Sequence, residues 1–201
     1  YVGPCLDSLK AQSFADFEAI VVDDGSSDES LAEARAAAAG DPRFRIVRRP
    51  NGGLSAARNT GLAEARADTI GFVDSDDRLA PEYLARLHAA LAESGADWAA
   101  CAVLLCPDDG SAARPHSTLH GRPHPAGEGP WLLLPLASWT DSVRIWPSAW
   151  NKLYRRRLID GMRFVEGTYY EDHPWFQQAA GRSGALAYVP EPLYWQTQGR
   201  A

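Results

Sequence analysis

Apolar and polar positions alternate in blocks along residues 1–107. Short apolar runs, each stopped by an acidic or glycine-containing turn, are typical of buried strands that end in polar loops. Alanine-rich stretches with apolar residues on one side lie between them and indicate helices. The predicted strands are Ala19–Val22, Phe44–Val47, Thr69–Val73 and Asp97–Cys106, and the predicted helices are Cys5–Ser13, Ser27 or Asp28 to Ala39, Leu54–Ala67 and Pro81–Glu93.

The alternation of strand and helix predicts a parallel sheet with helices on both faces, which is the α/β class. Ligands of such sheets bind beyond the carboxyl ends of the strands. Asp23 and Asp24 follow the first predicted strand, and the segment Asp74–Asp77 follows the third. Both acidic clusters are therefore expected at the ligand-binding edge.

The pattern changes after residue 107. The stretch from Pro107 to about Pro130 is dominated by Gly, Pro, His and Ser and is interpreted as a loop, while the remainder is rich in aromatic residues. A chain of 201 residues suits one domain with a substantial core and is too short for two large ones. Residues 1–107 and 108–201 are therefore expected to be two halves of a single domain.

Composition narrows the classes of protein. The formal net charge of -6 argues against a chain held to DNA or RNA mainly by phosphate contacts, so no nucleic-acid partner is expected. Cys5, Cys101 and Cys106 contain no CxxC pair and form an odd set, which indicates neither a disulfide framework nor a zinc site and fits a reducing cytoplasm. We recognise no signal peptide and no apolar stretch near the ~20 residues of a membrane span, although a patch that docks on a membrane surface is left open.

The segment Asp74-Ser75-Asp76 matches an Asp-x-Asp element. Alternate residues at a strand end point the same way, so Asp74 and Asp76 can share one site. Hard cations such as Mg²⁺ and Mn²⁺ take carboxylate oxygens, and a cation there would stabilise the negative charge of a diphosphate. The alternative is an acidic loop that caps the next helix through Asp77 or its neighbour.

Asp23 and Asp24 carry a second candidate site. A strand-end carboxylate can accept the imide N–H of uracil or bond a ribose hydroxyl. Gly25 permits a tight turn, and Ser26 to Asp28 can cap the following helix. A capped helix start is the alternative, but it does not explain two consecutive acids at a ligand edge.

Gly52 and Gly53 lead into the helix predicted from Leu54. A glycine-rich loop at a helix N-terminus is a natural anion site. Arg58, one turn into the helix, can reach a phosphate or a base. An ordinary loop is the alternative interpretation.

Six segments occur in the order and spacing of one known family: Cys5–Leu9, Val21–Asp28, Gly53–Gly61, Phe72–Asp77, Trp150–Arg155 and Phe164–Asp172. On these segments the chain resembles the family 2 glycosyltransferases of the GT-A fold, and its second half resembles the bacterial members that build surface polysaccharides. The resemblance implies a Rossmann-like, mostly parallel sheet with an irregular, aromatic-rich acceptor region.

The resemblance implies roles on the donor side. Asp24, helped by Asp23, would recognise the nucleotide base, with Arg58 and Gly53 beside the donor. Family members also usually begin with a strand that ends just before the point where this chain starts, at Tyr1. Without that strand the sheet would expose a central edge.

The resemblance also implies the metal ligands and the base. Asp74 would contact the ribose or the metal, Ser75 would contact the donor, and Asp76 would bind Mn²⁺ or Mg²⁺ directly. Family members invert the configuration of the sugar with a carboxylate general base, which by motif position is Asp172 with Glu171 beside it. The chemistry agrees, because a sugar hydroxyl is a poor nucleophile and a carboxylate must take its proton. An acid pair that favours a helix N-terminus is the alternative role.

Aromatic and basic residues of the second half have two interpretations. Flat rings suit the apolar faces of sugars, but they also suit a small hydrophobic core. Lys152 and the run Arg155–Arg157 could meet a phosphate of the acceptor, but a solvated basic turn is the expected interpretation. The rings expected mostly in the core, with one or two facing the acceptor, are Trp146, Trp150, Tyr154 and Trp195.

Together the motifs predict a metal-assisted, inverting glycosyltransferase that moves a sugar from a UDP-sugar to a glycan or glycolipid. Its expected location is the cytoplasm or the inner face of the cell membrane. Two alternatives remain open from the residues alone. One is a sugar nucleotidyltransferase, and the other is a non-catalytic carbohydrate-binding module of a larger protein.

Overall fold

The computed structural model describes residues 1–116, 118–119, 130–136 and 145–199. The helices are α1 Val2–Lys10, α2 Ser30–Ala38, α3 Leu54–Glu64, α4 Tyr83–Ser94, α5 Arg156–Ile159 and α6 Asp172–Arg182. The strands are β1 Ala19–Asp23, β2 Phe44–Arg48, β3 Thr69–Gly71, β4 Arg78–Leu79, β5 Trp98–Pro107, β6 Arg114–His116, β7 Leu132–Pro135, β8 Lys152–Arg155 and β9 Ala185–Gln198. In the part described, no helix combines the length and the apolar character needed to cross a membrane.

The elements predicted for residues 1–107 are all present, with small shifts of their ends. The third predicted strand ends at Gly71 rather than Val73, because the chain turns away there towards the acidic segment. The stretch interpreted as a loop after Pro107 contains the short strand β6, which pairs with β5. Residues 117 and 120–129 of that stretch lie outside the described part.

Two sheets organise the chain. The parallel strands β1 and β2 form one, and the other has the order β3-β8-β5-β9-β4 with β6 on β5 and β7 on β9. Within the larger sheet β5 and β9 run parallel, whereas the other pairs run antiparallel. The second half therefore inserts its own strands between those of the first half, and the sheet is mixed.

Strand β5 lies in the middle of the core because both of its faces are apolar. Trp98, Ala100 and Ala102 point into one cluster, where Trp175 and Phe176 of α6 pack. The intervening residues of β5 point into a second cluster, which contains buried residues of α4. A strand buried on both faces requires the continuous apolar sequence seen here. Helices thus cover both faces of the sheet, as predicted, and the α/β class is confirmed.

A cavity of about 710 Å³ lies between β1 and β3. Apolar side chains of both strands line it, among them Val22 and Ile70, and Asp74 and Asp76 also contribute to its wall. Within the described residues β1 pairs only with β2, and β3 pairs only with β8, so one edge of each strand has no partner.

Candidate functional site

Arg58 lies at the centre of a cluster of carboxylates. Its Nη1 donates a hydrogen bond of 2.8 Å to Glu171 Oε1 and another to Asp172 Oδ1, while its Nη2 donates one of 2.9 Å to Asp74 Oδ1. The Arg58 side chain is only 7% exposed. A guanidinium suits this position because its planar fork of donors serves several carboxylates at once and remains charged when buried. Burial opposes its charge, but the three carboxylates outweigh it and raise the pKa of Arg58.

Local contacts explain how Arg58 of α3 meets the acids of α6. Ser55 Oγ donates a hydrogen bond of 2.9 Å to the carbonyl of Val165. Asn59 bonds both backbone groups of Phe164, through its Nδ2 at 3.0 Å and its Oδ1 at 2.8 Å. These bonds fix one side of α3 against the segment that leads into α6. Glu171 and Asp172 then stand at the N-terminus of α6, where the helix dipole favours negative charge.

The environment of Asp172 changes its acidity. Burial raises the pKa of Asp172, and the neighbouring charges of Asp74 and Glu171 act in the same direction. Arg58 and the backbone N–H of Ala149 lower it, but the net direction is upward. A carboxylate with a raised pKa is a stronger proton acceptor than an exposed one, which is the property required of a general base.

Asp74, Asp76 and Asp77 lie together after β3. One carboxylate oxygen from each of the three residues lies within 4.8 Å of those of the other two. A set of hard oxygen donors at this spacing fits a divalent cation such as Mg²⁺ or Mn²⁺. Asp77 differs from the other two because it is buried and bonded to β9, and burial raises the pKa of Asp77 to about 6. Ser75 is exposed between Asp74 and Asp76.

Asp23 and Asp24 are held by two arginines that were not among the predicted site residues. Arg48 Nε donates to Asp23 Oδ2 at 3.0 Å, and Arg49 donates to Asp24 Oδ1. The parallel register places Asp23 opposite Arg48, so this pairing could have been found from the alignment of the two strand ends. Hydrogen bonds and these arginines lower the pKa of both acids, Ser26 contributing most for Asp23, while for Asp24 they act against the effect of its burial.

The glycine loop before α3 does bind an anion, but that anion is Asp24. The N–H of Gly53 donates to Asp24 Oδ2 at 2.7 Å, and the N–H of Gly52 donates to both oxygens at 3.1 Å. Gly25 closes the same turn with a φ of 76°, and a Cβ there would lie 2.9 Å from the backbone nitrogen of Asn51. The turn after β1 and the loop before α3 are therefore one packed unit.

The structure divides the predicted site residues into two groups. Arg58, Asp74, Glu171 and Asp172 form one hydrogen-bonded cluster, which the segment with Asp76 extends. Asp23, Asp24 and Gly53 form the other, at the end of β1. Arg58 was expected beside the nucleotide base together with Asp24, but its hydrogen bonds go to the acids of the first cluster. Its contact with a nucleotide stays a prediction.

Lys152 is not in a solvated turn, so that expectation was wrong. The side chain is fully buried, and its Nζ donates to Trp146 O at 3.0 Å, Ser148 Oγ at 2.9 Å and Asn151 Oδ1 at 2.8 Å. Three oxygen acceptors satisfy the three donors of an ammonium group. Burial lowers the pKa of Lys152 to about 7.

The aromatic residues mostly form the core, as expected. Trp150 and Tyr154 are buried, and Trp146 and Trp195 are partly buried against the second cluster. Among the described aromatic residues of the second half, the most exposed rings are those of Tyr169, 94% exposed, and Tyr170, 78% exposed. Both directly precede Glu171.

Comparison with known proteins identifies relatives of the chain. The chain is 32% identical to the uncharacterized glycosyltransferase EpsJ of Bacillus subtilis over 197 residues, which is 96% of this chain and 56% of that protein. It is 40% identical over 100 residues to the succinoglycan biosynthesis protein ExoW of Rhizobium meliloti, covering 47% of this chain and 31% of that protein. The chain thus spans about half the length of EpsJ.

Solved structures show the same fold. A crystal structure of Staphylococcus aureus TarS 1-349 in complex with UDP-GlcNAc superimposes with a TM-score of 0.81 at 23% identity, covering 100% of this chain and 56% of that one. The fold is the GT-A fold, with an acidic cluster after β3 and a carboxylate pair at the start of α6. The model of glycosyl transferase family 2 matches residues 1–169, and the chain belongs to that family.

Proposed function

We propose that this chain is the catalytic domain of an inverting glycosyltransferase that moves a sugar from a nucleotide-sugar to a hydroxyl of a glycan or glycolipid. The observation that carries the proposal is the hydrogen-bonded cluster in which Arg58 joins Asp172 and Glu171 to Asp74. It brings a carboxylate with a raised pKa together with an acidic segment that suits a cation, and both are needed for this reaction.

Asp172 is the general base of the proposed reaction. Its carboxylate takes the proton of the acceptor hydroxyl as the oxygen forms a bond to the anomeric carbon, and the bond from that carbon to the diphosphate oxygen breaks. Attack from the face opposite the diphosphate inverts the configuration in one step. Arg58 holds the carboxylate in a fixed orientation, and Glu171 shares the same guanidinium nitrogen. A positioned base of this kind contributes about 10²- to 10⁴-fold to a rate.

Asp76 and Asp74 are the proposed ligands of a divalent cation, Mn²⁺ or Mg²⁺. When bound, the cation supplies charge that stabilises the departing diphosphate. The bond from Arg58 to Asp74 restrains one of these carboxylates and connects it with the base. Ser75, exposed between the two acids, is positioned to bond the donor.

The proposed nucleotide-binding residues are those at the end of β1. Asp23 and Asp24 already have protein partners, so a base or ribose would use the remaining lone pairs of their oxygens. Gly53 keeps the loop close to Asp24, and Arg58, the cation of α3, is proposed beside the donor. A UDP-sugar is the donor we propose, and the complex of TarS with UDP-GlcNAc supports it by analogy of fold.

Tyr169 and Tyr170 support the acceptor part of the proposal. Exposed aromatic rings next to a base provide flat surfaces on which a sugar can stack. Tyr170 has a φ of 58°, which is uncommon for a residue with a side chain and is found at sites where the surroundings hold the backbone. We propose that the acceptor approaches over these rings from the cytoplasm or the inner face of the membrane.

A nucleotide screen tests the proposed function. Melting temperatures are measured with UDP-, GDP- and dTDP-sugars in the presence and absence of Mn²⁺, because a ligand that binds the folded state stabilises it. We expect a UDP-sugar with Mn²⁺ to give the largest increase and to be converted slowly to UDP. Release of pyrophosphate from a nucleoside triphosphate would instead support a nucleotidyltransferase. Absence of any nucleotide binding would support a non-catalytic module.

A further inference from the structure

The end of strand β9 is bonded to the acidic segment from the other end of the chain. Tyr194 Oη accepts a hydrogen bond of 3.1 Å from the N–H of Asp74 and donates one of 2.9 Å to Asp77 Oδ2. Thr197 donates its backbone N–H to Asp77 Oδ1 at 2.9 Å and its hydroxyl to the carbonyl of Asp76 at 2.8 Å. Asp74, Asp76 and Asp77 are therefore each hydrogen-bonded to a residue of β9.

Asp77 uses both carboxylate oxygens in these bonds. It is only 3% exposed, and its own N–H donates to the carbonyl of Asp74 at 3.0 Å, which closes the turn. Asp74 and Asp76 are more exposed. The three acids are close enough to share an ion. They nevertheless differ in burial and in hydrogen-bond partners. The carboxylate of Asp77 is buried against β9, whereas those of Asp74 and Asp76 are more accessible.

Tyr194 is itself rigidly placed. It is fully buried, its ring stacks on Trp150 with centroids 4.8 Å apart, and it meets the edge of Tyr83 at 6.2 Å. Its hydroxyl has one proton, and the contact with Asp77 uses it, while the Asp74 N–H occupies a lone pair. A buried phenol with this bonding has one orientation. Through its two hydrogen bonds Tyr194 fixes the segment Asp74–Asp77 relative to β9.

We propose that Tyr194 and Thr197 are positioning residues for the cation site, that Asp77 is the anchor through which they act, and that Asp76 and Asp74 alone present ligand oxygens. The inference rests on the proposed function in so far as that function requires the cation. The end of β9, more than 115 residues further along the chain, then determines whether the acidic segment is preorganised for a cation. Preorganisation reduces the ordering cost that binding would otherwise include.

Two substitutions with matched controls test the proposal. Y194F removes the hydroxyl and keeps the ring, and Y83F removes the hydroxyl of the neighbouring ring, which bonds Lys152 O and not the acidic segment. T197V removes the hydroxyl bond to Asp76 O, whereas T197S keeps it. Binding of Mn²⁺ in the presence of UDP is followed by the loss of the free-ion signal in electron paramagnetic resonance.

We expect Y194F and T197V each to weaken Mn²⁺ binding about fivefold or more, with unchanged stoichiometry, because one lost hydrogen bond typically has that effect. Y83F and T197S should bind as the wild type does. D77N should resemble Y194F, while D76N should abolish binding. If D77N abolished binding as completely as D76N and Y194F had no effect, Asp77 would be a ligand and the proposal would be wrong.

A second measurement requires neither metal nor nucleotide. Amide hydrogen exchange of the segment 72–78 should be faster in Y194F and T197V than in their controls, because the bonds that fix the turn are lost. Unchanged exchange in both variants would contradict the proposal. Failure of the wild type to bind Mn²⁺ would contradict the metal-assisted part of the proposed function. The exchange rates would still decide whether β9 positions the segment 72–78.

Discussion

Arg58 and Asp172 form an ion pair although 114 residues separate them in sequence. The pair unites the two halves of the chain, since Arg58 belongs to α3 and Asp172 opens α6. The other terminal nitrogen of Arg58, Nη2, donates a hydrogen bond to Asp74. A single side chain therefore connects the proposed base with the proposed cation site. The consequences for stability, pH dependence and binding can be measured separately.

Removal of Arg58 should destabilise the fold. R58A leaves Asp74, Glu171 and Asp172 close together without their cation, and breaking a buried pair in this way costs about 3 kcal/mol of unfolding free energy. The loss should become smaller as the pH falls, because protonation removes the repulsion. Urea unfolding at several pH values measures it. R66A, at an exposed arginine, is the control and should change stability by less than about 0.5 kcal/mol.

As the pH is lowered, the rate of sugar transfer should begin to fall at a higher pH than it would with an ordinary aspartate as the base. Burial raises the pKa of Asp172, and only its deprotonated form accepts a proton, so turnover falls as the pH drops through that raised pKa. The acid limb of the profile should therefore lie above about pH 4, the ordinary range of an aspartate. R58K keeps the positive charge but loses the planar set of donors that the carboxylates share. We therefore expect it to shift the acid limb of the pH–rate profile and to lower turnover. A limb at an ordinary carboxylate pKa would contradict the environment described for Asp172.

The turn at Gly25 should be more sensitive to substitution than another glycine with the same backbone conformation. Gly25 has a φ of 76° and Gly40 a φ of 78°, but only at Gly25 would a Cβ contact backbone, at 2.9 Å from Asn51 N. G40A should cost about 1 kcal/mol through φ alone. G25A should cost more and should also weaken UDP binding, because Asp24 would shift with the turn. Equal effects of the two variants on UDP affinity would argue against a nucleotide site at Asp24.

The end of β1 and the contact between β9 and Asp77 show what the sequence could and could not predict. The strand ends after β1 and β2 could be aligned in advance, since parallel strands end at the same edge, and the partners of Asp23 and Asp24 follow from that alignment. The bond from Tyr194 to Asp77 could not be predicted, because it depends on the insertion of β9 beside β4, and no local pattern encodes which distant strands pair. Lys152 was misjudged for a different reason, since its acceptors lie within six residues of it in an irregular segment that no periodicity predicts.

The exposed tyrosines should affect the acceptor and not the donor. Y169A and Y170A remove rings that are 94% and 78% exposed, so folding stability should change by less than about 0.5 kcal/mol. We expect a higher KM for the saccharide acceptor, with the KM for the UDP-sugar unchanged. Phenylalanine at either position should largely preserve stacking. Rates measured over a range of acceptor concentrations at saturating donor would show an unchanged acceptor KM if the rings had no such role.

The central claim is that Asp172 performs the chemical step while Asp76 serves the donor and its cation. Calorimetric titration of UDP with Mn²⁺ and the rate of sugar transfer, measured on D172N and D76A side by side, test it most directly. We predict that D172N binds UDP as the wild type does and loses transfer by about 100-fold or more, and that D76A loses the Mn²⁺-dependent part of UDP binding. Full transfer by D172N would contradict the assignment of the base.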